Sequence, residues 1–151
     1  MRPEDLKYSE THEWVRISEK KKEATVGITD YAVKQLNDLV HLELTPKPGD
    51  SLDKDAPFGE IESVKTVADL ISPVSGKIAE VNLDLAGHID TLKEDPFDEG
   101  WMIKIKYTEP KDLQGLMTAK EYREYLASLE EEDKGEEDEA EAGEVDEDDF
   151  M

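Results

Sequence analysis

The most constraining stretch is Phe58-Gly59-Glu60-Ile61-Glu62-Ser63-Val64-Lys65-Thr66-Val67-Ala68-Asp69-Leu70. Two strand-like runs meet at Val64-Lys65, which predicts a β-hairpin with a lysine at its tip. The turn is odd. Short hairpin loops favour Asn-Gly, Asp-Gly or a leading Gly, which tolerate positive φ, and none is present. Something other than turn stability has selected the lysine. It can simply discourage strand-edge aggregation. It can also present a primary amine to a modifying enzyme, held away from the body by two strands, with Glu60, Glu62 and Asp69 as recognition handles. An amide-linked swinging cofactor would use that geometry.

Around this hairpin the chain reads as short strands and short helices. Glu13-Trp14-Val15-Arg16-Ile17 alternates, with Trp14 off the Val15/Ile17 face, and Lys20-Lys21-Lys22 turns it into Ala24-Thr25-Val26-Gly27-Ile28, an antiparallel pair. Thr29 is placed to cap a helix carrying Ala32, Val33, Leu36 and Val40 on one face. Val40-His41-Leu42-Glu43-Leu44 returns to strand alternation before the Pro46–Asp50 turn. After the hairpin, Ile71–Ile78 is a turn running into a strand that continues to Val81. Pro48–Leu52 and Val74–Ile78 are weak echoes, each a Gly turn followed by an apolar residue, which hints at two related halves. Asp95–Gly100 reads as a loop and Trp101–Tyr107 as a strand. Pro110 opens a helix with Leu113, Leu116 and Met117 inward. A second helix follows the Thr118/Glu121 capping-box spacing, with Tyr122, Tyr125, Leu126 and Leu129 on one stripe.

The length of 151 residues suits one domain plus a tail. Residues 130–151 hold 14 acids against the single Lys134, which places −13 of the net −22 there and leaves −9 for residues 1–129. This tail cannot bury enough apolar surface to offset its ordering entropy, so disorder is expected. The excess acidity argues against nucleic acid as a partner. No signal, transit or membrane-spanning segment is recognisable, so a soluble cytoplasmic protein, with no membrane association, is expected. No cysteine is present, and any redox chemistry must therefore be borrowed. His12, His41 and His88 lack ligand spacing, and there is no nucleophile elbow, phosphate loop or dinucleotide fingerprint. A self-sufficient enzyme is not expected.

Gly59-Glu60-Ile61-Glu62-Ser63-Val64-Lys65 with Ser72-Pro73-Val74-Ser75-Gly76 closely resembles the lipoyl-attachment region of the glycine cleavage system H protein family. Further matches follow in family order: Thr11-His12-Glu13-Trp14-Val15, Val26-Gly27-Ile28-Thr29-Asp30-Tyr31-Ala32, Pro48-Gly49-Asp50, Glu80-Val81-Asn82, Glu94-Asp95-Pro96-Phe97 and Gly100-Trp101-Met102-Ile103-Lys104. The resemblance covers roughly residues 7–129.

It implies a mainly β fold, the lipoyl/biotinyl-type sandwiched hybrid barrel of two small antiparallel sheets with added short helices, as a carrier domain over 1–129 and an acidic tail over 130–151. It implies lipoate on Lys65 as N6-lipoyllysine, and a non-catalytic carrier. Such a carrier takes the aminomethyl group of glycine from the pyridoxal-phosphate (PLP) glycine decarboxylase to the tetrahydrofolate-dependent aminomethyltransferase, and is reoxidised by the FAD-containing dihydrolipoamide dehydrogenase. Thr11, Glu13 and Asp69 would line the cleft for the loaded arm, with carboxylates holding its protonated amine. Glu62 and Gly76 would help a lipoate ligase or lipoyl transferase recognise the hairpin. The carrier is expected to be a monomer in isolation.

The chain departs from the family pattern at Thr66 for Ala, Thr11 for Ser, Phe97 for Tyr, and across Ile89-Asp90-Thr91-Leu92-Lys93. The last lies near the expected cleft. Three other readings stand beside the first: an H-protein-like lipoyl carrier for lipoate delivery or sulfur-intermediate transfer, a biotin carrier, and an unmodified scaffold. Val64 and Thr66 argue against biotin, whose carriers place methionines on both sides of the lysine.

Overall fold

The computed structural model describes residues 3–129, so the expected acidic tail lies outside the described residues. The chain divides into two units, Met1–Ala119 and Lys120–Met151. In the first, the strands are β1 (Lys7–Tyr8), β2 (Glu13–Ser18), β3 (Glu23–Ile28), β4 (Leu39–Leu44), β5 (Ser51–Leu52), β6 (Pro57–Ser63), β7 (Val67–Ile71), β8 (Gly76–Val81) and β9 (Ile103–Tyr107). All pairings are antiparallel, in a six-stranded sheet ordered β1-β2-β3-β9-β8-β5 and a three-stranded sheet ordered β4-β6-β7.

Alternation along the strands explains the core. Val15, Val26, Ile103 and Ile105 of the larger sheet and Leu42, Phe58, Ile61 and Leu70 of the smaller are all buried in one cluster, each such side chain worth about 1.5–3 kcal/mol of transfer free energy. Trp14, expected off the Val15/Ile17 face, is nonetheless fully buried. It faces Gly27 across the β2–β3 ladder, where a Cβ would stand 2.7 Å from the indole ring. Its Nε1 donates to the Pro96 carbonyl at 2.8 Å. The loop at 95–97 thereby covers what would otherwise be an outward face.

The expected first helix forms as α1 (Asp30–Leu36), with Thr29 Oγ1 accepting from Ala32 N at 3.2 Å. It stops at Asn37 and Asp38, both left-handed at φ 55° and 41°. Val40 is therefore not on the helix face. It sits at a bulge in β4 and is 55 % exposed. The divergent 89–93 stretch contains a short helix, α2 (Asp90–Glu94), and, contrary to expectation, none of its residues lines the cleft formed by Thr11, Glu13 and Asp69.

The two echoing Gly turns prove to face each other, because β5 pairs with β8 through Ser51↔Lys77 and Leu52↔Gly76. The expected helix after Pro110 is a 3-10 turn over Pro110–Gly115, a form suited to so short a segment. Asp112 within it is buried and accepts from Ser75 N at 3.0 Å. The expected strand from Trp101 starts two residues later, at Ile103. In the second unit, residues 120–129 are helical, as the capping-box spacing implied. No described helix is long and apolar enough to cross a membrane.

Candidate functional site

The β6–β7 ladder ends at Glu62↔Val67. Beyond it, Ser63 N donates to Thr66 O at 2.8 Å, but the return bond is made by a side chain. Ser63 Oγ accepts from Thr66 N at 3.2 Å and from Lys65 N at 3.3 Å. No residue from Ser63 to Thr66 has positive φ. A buried serine hydroxyl thus satisfies the tip amides and replaces the turn residues the sequence lacks. Val64 N donates to Asp38 O at 3.1 Å, fastening the tip to the end of α1. Lys65 is exposed, and among the described residues its ammonium enters no ion pair.

Thr11, Glu13 and Asp69 are brought together. They line one cleft of about 170 Å³ with Ile28, Leu36 and Leu70 among its apolar walls. Glu13 opens β2 and Asp69 lies on β7, so the cleft spans the two sheets, with α1 alongside. A tight turn prepares it: His12 N donates to Ser9 O at 3.1 Å, and His12 takes a left-handed φ of 74°. That turn folds two hydroxyls onto Glu13. Ser9 Oγ donates to Oε1 at 2.7 Å, Thr11 Oγ1 donates to the same oxygen, and Ile71 N donates to Oε2 at 3.1 Å.

Glu13 is 1 % exposed. Burial pushes its carboxyl above the ordinary value, against the opposing pull of the Thr11, Ser9 and Ile71 bonds. Burial lowers the His12 imidazole, which disfavours a positive charge on that side chain at the cleft. The lining thus contains two carboxyl groups and no lysine or arginine.

Glu62 is half-buried beside the tip, paired with His41 and Val67. Gly76 is not brought to this site. It lies in β8 of the other sheet, where a Cβ would come within 2.2 Å of the Lys106 carbonyl oxygen. Packing of β8 against β9 alone demands a glycine there. Sequence reasoning missed Ser9 and Ser63, although both are hydroxyls flanking singled-out residues. It also missed Glu43, which register places in an exposed row with Glu60 and Asp69.

Residues 6–129 match the family model described as Glycine cleavage H-protein. A glycine cleavage system H protein of Anaeromyxobacter sp. (strain K) is 47% identical over 128 residues, covering 85% of this chain and 98% of that relative. One from Halalkalibacterium halodurans is 44% identical over 125 residues, 83% of this chain and 95% of the relative. The crystal structure of a glycine cleavage system H protein from Mycobacterium marinum superposes with a TM-score of 0.75 at 36% identity, covering 83% of this chain and 99% of that one. These names favour glycine cleavage over another lipoate pathway. A lysine-tipped hairpin, a two-sheet fold and near full-length agreement converge: the chain belongs to the glycine cleavage H-protein family.

Proposed function

We propose that Lys65 carries lipoate in amide linkage and that the Thr11, Glu13 and Asp69 cleft receives the loaded end of that arm. One observation carries the reading. An exposed lysine with no ion pair among the described residues stands on a hairpin whose outgoing strand, β7, supplies a wall of an acidic, cation-free cleft. The residues fit the group: the amine is accessible for amide formation, and the cleft has apolar walls for an acyl chain and carboxylates for a cationic terminus.

When bound, the lipoyl group supplies a disulfide that accepts an amine-bearing one-carbon fragment and can later be reoxidised. The chain's own residues do the rest. Ser63 fixes the tip backbone, so the lysine is presented from a defined base. Ser9, Thr11 and Ile71 N hold the Glu13 carboxylate in place, and Asp69 adds an exposed charge at the cleft. A protonated amine between them gains charge-assisted hydrogen bonds and is sheltered from water. Tethering raises the local concentration of the arm at each site it visits.

The partners this reading names are the PLP-dependent glycine decarboxylase, the tetrahydrofolate-dependent aminomethyltransferase and the FAD-containing dihydrolipoamide dehydrogenase, in the cytoplasm. Glu62 is the handle beside the tip for a lipoate ligase or lipoyl transferase, and Gly76 acts through the packing of β8. The carrier domain is residues 1–129, with 130–151 as an appended tail.

Intact mass and peptide mapping of protein from lipoate-replete native cells test the reading. A lipoyl increment on Lys65 is expected, and Lys65→Arg folds normally but carries none, since guanidinium offers no primary amine for the amide. Unmodified or biotinylated Lys65 would overturn it.

A further inference from the structure

We propose that the cavity between α1 and α2 is a second berth for the Lys65 arm, taking its uncharged oxidised ring, while the Glu13 cleft takes a cationic end. This rests on lipoylation of Lys65. The cavity holds about 460 Å³, against about 170 Å³ for the cleft, and falls within the size range of small-molecule sites. Its floor is apolar: Val33, Leu92 and Pro96 are buried, and Leu39 and Ile89 are half-buried. A neutral dithiolane and its alkyl chain are matched to such a floor.

The rim sets the two sites apart. Around the cavity, exposed Asp30, Asp38 and Asp90 are offset by Lys34 and Lys93, and among the described residues neither lysine is in an ion pair. The balance leaves little net pull on a cation. The cleft has Glu13 and Asp69 and no lysine or arginine, so a protonated amine partitions there. α1 is the wall between them: Ala32, Gln35 and Leu36 line the cleft, and Val33, Lys34 and Asn37 line the cavity.

The cavity also adjoins the attachment point. The carbonyl of Asp38, a wall residue, accepts from Val64 N at 3.1 Å, one residue before Lys65. Asn37 and Asp38 are consecutive non-glycine residues in the left-handed region, at φ 55° and 41°. That conformation is uncommon for side-chain-bearing residues and is kept where surrounding structure over-determines it. Because the arm is tethered, weak apolar contacts are enough to populate the berth.

The test compares the oxidised lipoylated full chain with unlipoylated protein by methyl NMR, after intact mass confirms the lipoyl increment. Methyl signals of Val33, Leu39, Ile89 and Leu92 should shift on lipoylation and show cross-relaxation to the ring protons. Ile89→Trp, which fills the cavity, should abolish those contacts with the increment unchanged. The wild-type comparison needs no variant to fold. On fully lipoylated protein, shifts confined to Ile28, Leu36 and Leu70, or none at either place, would overturn the berth. A missing increment would refute lipoylation itself and the berth with it.

Discussion

The hydroxyl of Ser63 is the most exacting place to test how the tip is held. Ser63→Ala removes the acceptor for Thr66 N and Lys65 N, at 3.2 and 3.3 Å, and leaves the Ser63 N to Thr66 O bond intact. Both lost bonds are long, and both amides lie in exposed residues that water can reach once the tip loosens. The low end of the net range for a hydrogen bond therefore applies, about 0.5 kcal/mol each and about 1 kcal/mol together. Local opening should become about five-fold more frequent, since 1.4 kcal/mol corresponds to tenfold. Amide hydrogen exchange read residue by residue is the assay. Lys65 and Thr66 should lose about five-fold protection, while β2 and β3 amides such as Val15 and Val26 stay unchanged. Ser63→Thr, which keeps a hydroxyl, should restore most of it. Unaltered protection at Lys65 and Thr66 in Ser63→Ala would show that the tip is held by its backbone alone.

Two further outcomes follow from single contacts. Burial raises the Glu13 carboxyl above 4.5, so the folded state holds that proton more tightly than the unfolded chain. Its stabilising contribution is full below about pH 4.5 and is lost as pH rises through the raised folded value. In denaturant titrations, wild type should therefore lose stability relative to Glu13→Gln between pH 4.5 and neutrality, and a difference that is flat or grows with pH refutes this. Gly76→Ala places a methyl 2.2 Å from the Lys106 carbonyl oxygen and should cost about 2 kcal/mol by overpacking, lowering Tm by roughly 6 °C at this chain length. An unchanged Tm by calorimetry would show that β8 and β9 can separate freely.

Much of the architecture was legible because it rests on local rules. The Thr29 cap, the β2–β3 pair and the lysine-tipped hairpin follow from residue type and alternation, and they stand where spacing put them. Failures came where tertiary contacts overrule local pattern. Val40 fits a helical stripe, yet the left-handed turn at Asn37 and Asp38 ends α1 before reaching it. Trp14 alternates to what should be solvent, and a loop more than 80 residues away covers it. For the site, the resemblance named Thr11, Glu13 and Asp69, and the fold gathers them in one cleft. What sequence could not supply was the support behind them. Ser9 acts through a turn whose geometry depends on a left-handed histidine, and Glu43 joins Glu60 and Asp69 only through strand register.

The burial of Trp14 gives the molecule an optical property. Of its two tryptophans, Trp14 is sealed from water, bonded to a backbone carbonyl and directly follows Glu13, whereas Trp101 is half-exposed beneath the Lys104 ammonium at 5.0 Å. Their emission should therefore separate into a blue component and a red, quencher-accessible one. The blue component reports whether the 95–97 loop is seated, from a position one residue away from the carboxyl group that faces the cleft. Seating of that loop can therefore be followed without an added dye.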